Sequence, residues 1–145
     1  MPEQNHNLEV LEAIVDNTEM GKNTLAQIIP MAEEGYFKAE LLREKNVYHE
    51  INSEAHKCME SCGAQAKGQG AFAKANTHMG IQMKTINDKS TRNLAEMLAM
   101  GNEQGVMDCI KTRSDYPDAA PGTMRLSQQL QDFQEECRAK MNEFL

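Results

Sequence analysis

Tryptophan is absent from this chain, and proline is scarce, with 4 in 145 residues. β-Branched residues are few, while Ala, Leu, Met, Glu, Lys and Gln dominate. That balance disfavours a sheet and favours helices. No apolar run approaches the length of a membrane span. The N-terminus, Met1-Pro2-Glu3-Gln4-Asn5-His6, is polar and no signal-peptide pattern follows it, so a reducing cytoplasm is expected. There is no block of Lys or Arg. The net charge of −7 is spread among mixed signs, which argues against a nucleic-acid or membrane partner. The four cysteines, Cys58, Cys62, Cys109 and Cys137, then read as thiols rather than a disulfide framework. Nucleophile elbow, phosphate loop and dinucleotide fingerprint are all missing.

What is present is helical periodicity in a chain long enough for one domain with one core. Residues 1–6 read as a frayed lead-in. Asn7 then caps a first helix whose stripe runs Leu8, Leu11, Ile14, Val15, Thr18, Leu25, Ile28 and Ile29. Pro30 ends or kinks it, or opens the next. The second helix starts near Met31 or Gly35 and runs to about Cys62. Its seam is Phe37, Leu41, Glu44, Tyr48, Ile51, Ala55, Cys58 and Cys62, with the alternating steps of a left-handed bundle. Gly63 closes it, and a flexible connector runs to Gly70. A short helix is predicted over about 71–87, with Phe72, Ala75, Met79, Met83 and Ile86 on one side. Asp88 or Ser90 caps a third long helix to about Ser114, with Leu94, Leu98, Gly101, Gly105, Cys109 and Ile110 inward. After a turn built on two prolines, a fourth helix carries Leu126, Leu130, Phe133, Cys137, Met141 and Phe144.

The two halves echo each other. An offset of 84 carries Val10 to Leu94, Ile14 to Leu98, Glu19 to Glu103 and Gly21 to Gly105. An offset of 89 carries Phe37 to Leu126, Leu41 to Leu130, Glu44 to Phe133 and Tyr48 to Cys137. The repeated Glu-x-Gly is the unusual part. A mid-helix glycine costs about 1 kcal/mol against alanine. That cost is offset if Gly21 and Gly105 let the first and third helices approach closely at the bundle centre.

The layout is all-α, with two helical hairpins joined by a long crossover carrying a short extra helix. Its motifs are Leu8-Glu-Val-Leu-Glu-Ala-Ile14, Asn17-Thr-Glu-Met-Gly21 and Met100-Gly-Asn-Glu-Gln-Gly105. On these pieces the chain resembles a bacterial ferritin-like four-helix-bundle family of unknown function, a distant relative of rubrerythrin and bacterioferritin. The resemblance implies the fold rather than an activity.

A di-iron centre of that class takes a Glu from one helix of each half and a Glu-x-x-His from the other. Glu19 and Glu103 suit the first pair. The second is not matched: Glu50-Ile-Asn-Ser53 lacks the histidine, Glu54-Ala-His56 has the wrong spacing, and the last helix has no histidine. Two readings follow. The first is a non-catalytic bundle needing no cofactor, which acts as a homo-oligomer (a dimer) or on a protein partner. The alternative is a divergent iron or manganese carboxylate protein, an oxidase or metal sensor. It would use Glu19, Glu44, Glu103 and His49 or Glu50. Glu44 is notable in either case, because an acid on the seam must be paired or protonated. Tyr48, His49 and Thr18 are the expected partners. Cys58 and Cys62 share a face and read as core packing, as do the 11 methionines.

Overall fold

The structure is a computed structural model. It describes residues 2–33, 35–63 and 86–145, with side chains from His6 onward in the first of these. Four long helices make up the described fold: α1 (Pro2–Ile28), α2 (Gly35–Ser61), α3 (Thr91–Asp115) and α4 (Pro121–Met141). Short 3-10 turns follow α1 at Ile29–Met31 and α4 at Asn142–Phe144. No strand occurs among the described residues, and none of their helices is long and apolar enough to cross a membrane. Most of the predicted short helix, residues 71–85, lies outside the described residues. Ile86 and Asn87 are not helical.

Local chemistry sets the boundaries. α1 starts at Pro2 rather than Asn7, because proline's fixed φ suits a first helical position. Asn7 serves another element instead: its Oδ1 accepts from Ala120 N at 3.2 Å, where α4 begins. Pro30 sits inside the 3-10 turn that separates α1 from α2. Ser90 caps α3, its side chain accepting from Asn93 N at 3.2 Å, and Asp88 accepts from Ser90 N at 2.9 Å. Gly63, at φ +72°, occupies the left-handed position that ends α2.

α1 and α2 form one hairpin, and α3 and α4 the other. The docking of the two follows from side-chain pairs. His6 contacts Tyr116 and Asp118, while Asn17 contacts Gly105, so α1 and α3 run antiparallel. Phe37 packs on Phe144, and Tyr48 meets Gln134, so α2 and α4 run antiparallel. Asn7 also reaches Cys62. The end of α2 therefore lies beside the α3–α4 turn, which makes α2 and α3 parallel. The described ends of the connection, Gly63 and Ile86, therefore lie toward opposite ends of the bundle.

The core contains Leu11, Leu25, Phe37, Leu41, Leu94, Leu130 and Met141, all essentially inaccessible. Burial of such side chains contributes roughly 1.5–3 kcal/mol each. Most of the expected stripes hold, with corrections; on α1, Val10 is fully buried while Leu8 and Ile29 are only partly so. At its end the α2 seam passes through Met59, leaving Cys58 half-buried and Cys62 exposed. A straight helix drifts about 20° per heptad from a 3.5 repeat, which carries the later positions off the seam. On α3, Asn102 lies inside while Gly101 and Ile110 are exposed. Polar Glu40 and Gln134 are buried where apolarity alone gave no signal. Phe144 is only partly buried against the core.

Candidate functional site

Two polar clusters lie in this interior. The first is central and draws on all four helices. Gly21 on α1 faces Tyr48 on α2 so closely that a Cβ there would fall 2.6–2.8 Å from the ring. Gly105 on α3 faces the Gln134 amide of α4 in the same way. The glycines therefore admit large side chains from their own hairpin partners rather than drawing α1 onto α3. Gln134 Nε2 donates to Asn17 Oδ1 at 2.7 Å and to the Tyr48 hydroxyl at 3.1 Å. Asn17 Nδ2 lies 3.2 Å from the Gly105 carbonyl and 3.6 Å from Cys109 Sγ. Phe133 stacks edge-on against Tyr48 with centroids 5.0 Å apart. Burial pushes the Tyr48 phenol far up and the Cys109 thiol up to about 12, so both are neutral.

The second cluster is the acid on the seam. Glu44 is 2 % exposed, and its Oε2 has no hydrogen-bond partner among the described residues. None of the expected partners meets it. Tyr48 is taken by Gln134, Thr18 donates to the Ile14 carbonyl at 2.8 Å, and His49 is exposed beside Lys22 at 3.2 Å. Glu44 instead faces Glu40, one turn earlier, and Cys137 on α4. Arg43 grips Glu40 with two bonds of 3.1 and 2.8 Å. Burial first, then the Glu40 carboxylate, push Glu44 up to about 9. Burial alone would raise Glu40 as well, but hydrogen bonds from Arg43 and from the Glu44 acid hold it below its ordinary value. Burial and the neighbouring Glu44 drive the Cys137 thiol far up. At neutral pH Glu44 is thus a neutral acid donating to an ionised Glu40. This pair holds one proton, and neither buried thiol is activated.

The remaining candidates have other partners or lie exposed. Glu19 is half-buried and accepts from Asn52 Nδ2 at 3.1 Å. Glu103 is exposed and bonds Arg138 at 2.8 Å. His49 and Glu50 are exposed on α2. The structure brings no three His, Cys, Asp or Glu side chains among the described residues into a group that could hold a metal ion. Burial also raises the half-exposed Cys58 thiol, with Glu54 adding to the effect.

Sequence reasoning overlooked Glu40, Asn17 and Gln134. Glu40 had a usable signal, since it stands one turn before Glu44. Gln134 had none beyond its adjacency to Phe133. No protein-family model, no curated protein and no solved structure matches this chain.

Proposed function

We propose that this protein is a non-catalytic, cytoplasmic, ferritin-like bundle that works by self-association. The ferritin-like assignment is supported by two antiparallel hairpins docked so that α2 and α3 are parallel, with a long connection between them. The observation that carries the functional reading is how the interior polar groups are used. Asn17 and Tyr48 both bond Gln134, and Arg43 bonds Glu40 of the acid pair. Such a network specifies how four helices register, which is a structural use of polarity. Sedimentation equilibrium, with elemental analysis of protein purified without a metal-affinity step, tests the reading. A stable dimer without stoichiometric metal is expected. Stoichiometric iron, manganese or zinc would overturn it in favour of a carboxylate metalloprotein.

A further inference from the structure

Resting on that self-association reading, we infer that the outer face of α3 is the surface on which a second copy of this chain docks, antiparallel and about a two-fold axis. Met100 is 63 % exposed and Met107 46 %. They lie about 20° apart around the helix and centre the face turned from the core. Ile110, at 47 %, flanks them. Gly101, about 100° around the helix from Met100, lies off this face.

Charge order selects the occupant. About the midpoint of α3, between Glu103 and Gln104, Met100 mirrors Met107, Glu96 mirrors Lys111, and Arg92 mirrors Asp115. All six are exposed. An antiparallel second copy therefore sets methionine on methionine at the centre and opposite charges together on both sides. Mirrored residues lie on opposite flanks of the face. A crossing near −50°, the class in which i±4 ridges interdigitate, brings each into line with its mate. Glu103 stands close to the axis, and Arg138 at 2.8 Å neutralises it, so two like charges do not meet bare. Beside Met100 an open cleft of about 340 Å³, lined by Arg92, Glu96, Met100, Glu103, Arg138 and Leu145, can receive the second copy's Met107.

The test is sedimentation equilibrium of the full chain, with circular dichroism to verify folding. The wild type should associate to twice its 16.3 kDa. Met107→Glu should raise the dimer dissociation constant at least about 30-fold, as expected for a central apolar anchor. Glu96→Lys should raise it roughly 5-fold, and adding Lys111→Glu should restore it, because both mirrored pairs are reversed together. A dimer indifferent to Met107→Glu and to the charge reversal overturns this face while leaving self-association intact. A monomer at every concentration overturns self-association itself.

Discussion

The two hairpins use one plan with different chemistry at its centre. In each, a Glu-x-Gly on the first helix meets two residues one turn apart on the second. Glu19 accepts from Asn52 while Gly21 admits Tyr48; Glu103 accepts from Arg138 while Gly105 admits Gln134. The first helices are related by the expected offset of 84. The second helices are related by 86, not 89, since Tyr48 matches Gln134 and Asn52 matches Arg138. The differences are then specific. Thr18 receives Asn52 Nδ2 at 3.0 Å, whereas Asn102 in the matching place has a buried amide without a partner among the described residues. Glu40 and Glu44 stand where the second hairpin has Leu126 and Leu130, all four buried. Leucine meets the packing need at both positions, so the acids of the first hairpin serve something other than packing.

Alanine at the paired glycines breaks the comparison most strongly. Replacing a mid-helix glycine ordinarily stabilises by about 1 kcal/mol. Here both changes should destabilise, and unequally. Tyr48 is a rigid ring backed by Phe133, so Gly21→Ala should cost about 3 kcal/mol through overpacking. Gln134 ends in a flexible amide that can swing aside at the expense of its bonds to Asn17 and Tyr48. Gly105→Ala should therefore cost about 2 kcal/mol. Urea denaturation of both variants checks the order. A stabilising effect at either position would mean that its facing side chain does not need the space the glycine leaves.

The acid pair gives the next effect, and its sign depends on pH. Glu44 is raised in the folded state, from 4.5 to about 9. Its contribution is fully present below the unfolded value and is lost as pH rises through about 9. Glu40 is lowered, so its contribution is present above its unfolded value and is lost as pH falls. Glu44→Gln keeps a donor for Glu40 but cannot ionise. It should stabilise at pH 9 by on the order of 2 kcal/mol relative to its effect at pH 5. Glu44→Leu copies the second hairpin. It should flatten the alkaline limb likewise, while leaving Glu40 without its second donor. Denaturation across that window decides the point: a wild-type alkaline limb as flat as that of the Gln variant would show that Glu44 is ionised throughout.

How far the sequence carries these conclusions depends on the scale of the interaction. Four helices, their hairpin pairing and most of the core were legible, because a stripe such as Phe37–Leu41–Glu44–Tyr48 needs only the helical period. The importance of Gly21 and Gly105 was legible too, since glycine amid good helix formers signals a steric demand. What each glycine admits was not legible. Tyr48 and Gln134 have unlike side chains, and the offset that matches them slips by three positions from the one suggested by apolar residues. Glu44's partners were missed for a related reason. Thr18 already bonds its own helix carbonyl, and Glu40 repels Glu44 until one of them holds a proton.

Asp16 sharpens the comparison at a smaller magnitude. Glu12, Asp16 and Glu19 match Glu96, Met100 and Glu103, so one line of acids is interrupted by methionine only in the second hairpin. Burial, then Glu12 and Glu19, push Asp16 up to about 6, and its Oδ1 is buried without a partner among the described residues. Because its folded value is raised, stability declines as pH rises from 3.8 through about 6. Asp16→Asn should therefore stabilise at pH 7 by about 1 kcal/mol, once solvent screening of a half-exposed group is allowed for, and should have little effect at pH 4. Equal effects at the two pH values would mean that Asp16 titrates normally.

Gly101 is the last and smallest contrast, because it shares α3 with Gly105 but not its surroundings. A Cβ at Gly105 collides, whereas one at Gly101 meets nothing described within 4 Å. In dilute protein Gly101→Ala should stabilise by slightly under 1 kcal/mol, the ordinary helix-propensity difference. On a chain of this size that raises the melting temperature by about 4 °C. Gly101 lies about 100° around α3 from Met100, outside the proposed contact, so the increase should be the same at concentrations where two copies pair. Melting curves at low and high protein concentration check this. A rise that shrinks with concentration would place Gly101 in the contact between copies, and a fall in dilute protein would mean that its open side is occupied within the chain.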